Sequence, residues 1–191
     1  MLLSGLSVLV VKLEHHFKLN TSYLLETPRL QLREFAETDA EILFELNSDP
    51  KVLRYTGDEP FATKEAALKF ILEYDQYRKF GYGRWAVEIK GSHEMIGWCG
   101  LKRQEDGETN LGFRLFKKHW GKGFATEAAR ACLDYGFYHL GLSCIIGRVL
   151  KENLASVRVL EKAGMKNPVE VILHGAPALI YSLGSNEWKN G

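Results

Sequence analysis

Apolar and polar residues alternate from Leu30 to Phe35, and that two-residue period predicts a half-buried strand. The period then changes. Thr38-Asp39-Ala40-Glu41 has the form of a capping box, and Ile42, Leu43 and Leu46 follow at helical spacing, so a helix is expected to run to about Asp49-Pro50. Thr63 is placed to cap a second helix reaching about Tyr77, with Ala67, Phe70, Ile71 and Tyr74 on one face. Trp85–Ile89 and Met95–Leu101 flank the turn Lys90–His93 and predict a hairpin. A polar turn over Gln104–Glu108 leads to a third strand, Asn110–Phe116, whose internal Gly112 predicts a bulge.

Thr126–Leu140 again has a helical stripe, through Ala128, Ala129, Cys132, Leu133 and Phe137. Cys144–Leu150 is a strand rich in Ile and Val. Asn153 suits the N-cap of a helix over Leu154–Lys162, and Gly164 suits its C-terminal stop. Val169–Leu173 and Ala178–Leu183 complete the pattern around Gly175-Ala176-Pro177. Hairpins followed by two strand-to-helix steps predict an α/β fold of the α+β kind: one mixed sheet with helices on both faces. No linker interrupts this pattern, so the chain divides into an extension, 1–22, and one domain, 23–191.

The extension begins with an apolar run from Met1 to Val11 that lacks a leading basic residue. It is shorter than the roughly 20 residues of a membrane-spanning helix, and its flanks do not fit a secretory signal. Across all 191 residues, 25 Lys and Arg face 24 Asp and Glu, a net charge of +1 that argues against nucleic-acid or polybasic membrane binding. Cys99, Cys132 and Cys144 have no CxxC spacing, and no HExxH occurs. The expectation is reduced thiols, no metal and a cytoplasmic location.

Chemistry concentrates in His119-Trp120-Gly121-Lys122-Gly123-Phe124-Ala125-Thr126. These residues lie between a predicted strand and a predicted helix. Glycines there let consecutive N–H groups converge, and the helix dipole favours an anion. By spacing alone the stretch is either a phosphate cradle or a plain turn. It lacks GxxxxGK[ST], and Thr126 stands at the third glycine of a dinucleotide fingerprint.

Three ordered motifs together are more specific. Thr27-Pro28-Arg29-Leu30-x-Leu32-Arg33, the loop Trp120–Ala128, and Asn153-x-x-Ser156-x-Arg158-Val159-Leu160-Glu161-Lys162-x-Gly164-Met165 resemble the Gcn5-related N-acetyltransferases, most closely the RimJ/RimL-like branch. The resemblance runs from about Leu25 to Trp188. It implies a mostly antiparallel, seven-stranded sheet with a splayed central strand pair, and acetyl-CoA as co-substrate with no metal. It implies that Gly121, Lys122, Gly123, Phe124, Ala125 and Thr126 hold the pyrophosphate. Phe113, Leu115 and Asn153 would meet the pantetheine arm, and the Leu115 amide would polarise the thioester carbonyl. The reaction implied is direct attack of an amine, a protein N-terminus or a small molecule, in a ternary complex on a monomer or homodimer.

The catalytic acid and base depart from the branch pattern. Asn110 stands where a Glu is common, leaving Glu108 or Glu88 as the base. No Tyr occurs in Val157–Leu160, leaving Ser156 as the group nearest the thiolate. Tyr55, Asp58 and Glu59, in the loop between the first two helices, are placed to meet the acceptor. The short Gly175 hairpin would leave that side open. A CoA-binding sensor without turnover and a general nucleotide-binding domain are the rival readings.

Overall fold

The computed structural model describes residues 23–188, so the predicted extension 1–22 lies outside the described residues. Eight strands form one sheet in the order β1-β2-β3-β4-β5-β6-β8-β7. They are β1 (Leu25–Glu26), β2 (Leu30–Arg33), β3 (Arg84–Ile89), β4 (Glu94–Arg103), β5 (Thr109–Leu115), β6 (Cys144–Leu150), β7 (Lys166–Leu173) and β8 (Ala176–Gly184). The strand beyond the expected seven is β1, two residues long and set on the sheet edge against Leu32 and Gln31. Every neighbouring pair is antiparallel except β5–β6.

The helices are α1 (Ala40–Leu46), α2 (Pro50–Leu53), α3 (Lys64–Leu72), α4 (Gln76–Phe80), α5 (Phe124–Asp134) and α6 (Leu154–Ala163). They divide the core into two layers. On one face Leu30, Leu32, Trp85, Leu111 and Leu115 pack with Ala128, Cys132 and Leu133 of α5 and Leu160 of α6. On the other, Leu43, Leu46, Val52 and Ile71 cover Ala86 and Met95. Each fully buried aliphatic side chain stabilises the fold by about 1.5–3 kcal/mol relative to exposure.

Several local expectations change. The first helix runs only from Ala40 to Leu46, and the box at Thr38–Glu41 does not form. Asp39 is drawn instead to Arg33 (2.7 Å) and to the Ala36 N–H (2.8 Å), after a 3₁₀ turn over Glu37–Asp39. The second helix is broken after Leu72, with α4 restarting at Gln76. The caps at Thr63 and Asn153 form as the sequence predicts, accepting from Ala66 N–H and Ser156 N–H at 3.2 Å each. The α5 segment ends in a π-turn over Tyr135–His139, not in continuous α-helix to Leu140.

Gly112 carries no bulge. The β4–β5 ladder runs in register from Gly97–Leu115 to Arg103–Thr109. A Cβ at 112 would lie 2.6 Å from the Arg84 guanidinium, so a larger residue would have to push that side chain aside. The bulge lies one strand away, between β3 and β4, where Ile96 is the extra residue. Next to it Gly97 adopts φ 141°, and a Cβ there would fall 2.1 Å from the Arg114 carbonyl oxygen.

Candidate active site

The parallel pair β5–β6 is joined at one register pair, Asn110–Ile146. Beyond it the strands diverge. The Asn110 side-chain oxygen accepts the Arg148 backbone N–H at 3.2 Å and so spans the fork where separation starts. Backbone groups of a strand face its two edges alternately. Phe116 N–H donates to Ile96 on β4 at 3.0 Å, so the N–H groups of Leu115 and Phe113 face the opposite edge, into the gap. The Leu115 carbonyl on that edge accepts the Trp120 indole N–H at 2.7 Å, which ties the glycine loop to the end of β5.

A cavity of about 1150 Å³ opens through this gap. That is larger than the roughly 300–1,000 Å³ typical of a small-ligand pocket. Residues from both faces of the sheet line it. Gly121, Gly123, Phe124, Ala125, Thr126, Asn153, Ser156 and Val159 come from the α5 and α6 side, with Phe113 and Leu115 in the middle. Lys51, Arg54, Tyr55, Thr56 and Arg114 come from the α2 side.

The loop meets the geometric demand for an anion cradle. Gly121 and Gly123 have φ 74° and 81°, the left-handed region that only glycine enters without strain. The first intrahelical bond of α5 runs from Glu127 N–H to Gly123 O, so the N–H groups of Phe124, Ala125 and Thr126 have no helical acceptor. Unlike α3 and α6, α5 has no side-chain cap on these donors.

The opening motif braces this loop. Glu127 accepts from the Thr27 hydroxyl at 2.6 Å, the Arg29 backbone N–H at 2.9 Å and Arg29 Nε at 2.6 Å. Arg29 also donates to the Lys122 carbonyl at 3.0 Å and lies over the Phe124 ring at 4.6 Å. Burial would raise the Glu127 pKa, but the bonds from Thr27 and Arg29 outweigh it, and the carboxyl titrates below its usual range. His119, on the same wall, is buried, and desolvation holds its pKa below 6.5 although Nε2 lies 3.3 Å from Glu94. The imidazole is therefore neutral at pH 7.

The model of the acetyltransferase (GNAT) domain matches residues 29–166. The chain belongs to the GNAT acetyltransferases. It is 37% identical over 139 residues to the uncharacterized N-acetyltransferase p20 of Bacillus licheniformis, covering 71% of this chain and 78% of that protein. A solved GNAT-family acetyltransferase from Bacillus anthracis superposes with TM-score 0.74 at 29% identity, covering 85% of this chain and 98% of that one. Spermidine N-acetyltransferase from Vibrio cholerae, solved with CoA and spermine, has the same fold at TM-score 0.72 and 21% identity, covering 84% and 98%.

Most residues expected from the motifs meet at the GNAT cavity, but Lys122 contributes only its backbone, held by Arg29, and does not line it. Ser156 lines the wall and Asn153 caps α6 beside it. Glu108 is placed elsewhere. It sits in the turn before β5, and Arg148 Nη2 holds its carboxylate at 2.7 Å. Glu88 is buried with Arg33 Nε at 2.7 Å. Tyr55 lines the cavity, Asp58 is ion-paired to Arg114, and Glu59 is not on the wall. Thr27, Arg29 and Glu127 join in a brace that the sequence alone does not reveal. The signal was the Thr27-Pro28-Arg29 motif itself, but nothing in a linear chain shows that it reaches a residue nearly 100 positions away. Among the described residues, no cluster of three or more His, Cys, Asp and Glu has metal-binding geometry, and no helix is long and apolar enough to cross a membrane.

Proposed function

We propose that the protein transfers the acetyl group of acetyl-CoA to a primary amine, with both substrates bound together. The observation that carries this reading is the fork after Asn110, which opens a large cavity beside an uncapped helix N-terminus. Acetyl-CoA supplies an activated thioester. Gly121–Thr126 would receive its pyrophosphate through main-chain N–H groups, and Arg130, Arg158 and Lys162, on the same end of the wall, add positive charge. Phe113, Leu115 and the Asn153 side chain would hold the pantetheine arm in the gap.

The amine nitrogen attacks the thioester carbonyl carbon. An N–C bond forms, the C–S bond breaks, and the proton lost by the amine balances the one gained by the thiolate. The Leu115 N–H would stabilise the oxyanion, and Ser156 would offer its hydroxyl to the departing sulfur. The carboxylates on the wall are Glu127, held by Arg29, and Glu152 near α6, so we assign the first deprotonation to water in the cavity. The log of kcat/KM should then rise with pH until it levels at the acceptor amine's own pKa.

The Thr27–Arg29 brace favours the RimJ/RimL-like branch, and dependence on acetyl-CoA and the free cysteines favour the cytoplasm. Calorimetric titration with CoA, paired with thiol release over a panel of amines, tests the proposal. Failure to bind CoA sinks it. Binding without release from any amine would leave the sensor reading in its place.

A further inference from the structure

The α2 end of the cavity is short of negative charge. Lys51 and Arg54 line it, both are exposed, and neither has a carboxylate partner among the described residues. Arg54 instead lies over the Tyr55 ring at 4.9 Å. The Lys51 ammonium crowds that of Lys117, and contact with Lys51 depresses the Lys117 pKa, with only Asp49 opposing the shift. Lys79, Lys90 and Lys118, by contrast, pair with Asp75, Glu26 and Glu94.

The sheet beneath repeats the imbalance. Arg114 lines the cavity and is 8% exposed. Asn47 and Asp58 hold its terminal nitrogens, but its Nε is buried without a partner. Arg84 lies over Gly112, two residues along β5, and shares the Trp98 ring with Arg114 at 5.2 Å each. Among the described residues, its side chain donates to the carbonyls of Gly100 and Asn110. Desolvation lowers its pKa. Arg33, on the same sheet, provides the contrast: it is buried between Asp39 and Glu88 at 2.7 and 2.6 Å. A desolvated guanidinium is costly when it lacks a counter-charge; Arg84 is not on the cavity wall, so it acts on a bound ligand through its potential and not by contact.

We propose that the acceptor is an amine that carries a carboxylate, an amino-acid-type zwitterion, and that Lys51 and Arg54 receive the carboxylate at the α2 end of the cavity. Arg84 and Arg114 add to the positive potential that draws it in. A polyamine is the wrong partner for this wall, because Lys51, Arg54 and Arg114 line it and Asp58 is committed to Arg114. This inference rests on the acetyltransferase reading, since it names the substrate of that site.

The test is calorimetry on the CoA-loaded protein with the proteinogenic L-amino acids, each compared with its carboxamide, and with spermidine. At least one amino acid should bind tenfold or more tightly than its carboxamide, with spermidine weaker than both. The double variant Lys51→Gln/Arg54→Gln should erase most of that tenfold preference. Its CoA affinity should stay within twofold, because neither side chain belongs to the glycine loop. A carboxamide that binds as well as its acid, spermidine as the tightest ligand, no binding by any amino acid, or a preference that survives the double variant would each overturn the inference. Thiol release is scored separately: its absence counts against the transferase reading, while the carboxylate preference is decided by binding alone.

Discussion

The two ends of the cavity are built from different materials. At the α5 end the groups facing the cavity are main-chain N–H donors, braced from behind by an ion pair. Glu127 takes three bonds from Thr27 and Arg29, and Arg29 continues to the Lys122 carbonyl. At the α2 end the groups are side chains, and Lys51 and Arg54 have no carboxylate partner among the described residues. The first arrangement is held by contacts within the chain itself, which would suit an invariant co-substrate. The second takes its character from whichever side chains stand there, and its charge has to be completed by what binds.

The largest perturbation should come from the α5 end. Gly123→Asp forces a side chain into φ 81°, puts a Cβ 3.3 Å from Arg29 Nη2 and adds negative charge beside a phosphate. CoA affinity should fall at least a hundredfold by calorimetry, with the circular dichroism spectrum unchanged. Unaltered affinity would refute the main-chain cradle.

A smaller effect at the same end comes from Glu127→Gln. Hydrogen bonds to a charged group contribute about 1.5–3 kcal/mol each, less here because Arg29 is half exposed. The KM for acetyl-CoA should rise about tenfold while the acceptor KM stays within twofold. If both rise equally, the brace shapes the whole domain and not one end. Because the folded pKa of Glu127 lies below 4.5, the brace is complete above that value and fails as pH drops through the lower folded pKa.

Asp58→Asn sharpens the contrast from the other side. It removes the only acid on Arg114, so the α2 end gains net positive charge. Asp58 is more than half exposed, so the effect should be modest: carboxylate-bearing amines bind about two- to threefold tighter and CoA is unaffected. Weaker binding of such amines would mean that Asp58 itself contacts the acceptor.

The smallest effect concerns His119. Its folded pKa is below 6.5, so the unfolded chain binds the proton first, and stability falls as pH drops from about 6.5 towards the folded value. The thermal midpoint of His119→Phe should decline less than that of the parent between pH 7.5 and 5.5. Parallel declines would assign the acid sensitivity to other groups.

The α5 end was legible in the sequence because its requirements are written in backbone terms. Only glycine enters the left-handed region freely, and a glycine-rich turn before a helical stripe advertises free donors. The α6 cap was legible for the same reason: Asn153 acts on residues three positions away. What escaped is tertiary. Gly112 looked like a bulge, but its small size serves Arg84 from a neighbouring strand, while the irregularity sits at Ile96. Glu108 looked available as a base until β6 brought Arg148 to it. His174, at the β7–β8 turn, comes within 3.4 Å of a Cβ built on Gly57, so the α2–α3 loop beside the acceptor end is buttressed by residues more than 100 positions later.

Asn110 also fixes a length. Pairing between β5 and β6 stops at that residue, and five further steps of about 3.4 Å carry the strand roughly 17 Å to Leu115. Moving that closure point along β5 would lengthen or shorten the stretch of main chain that stands unpaired on this edge.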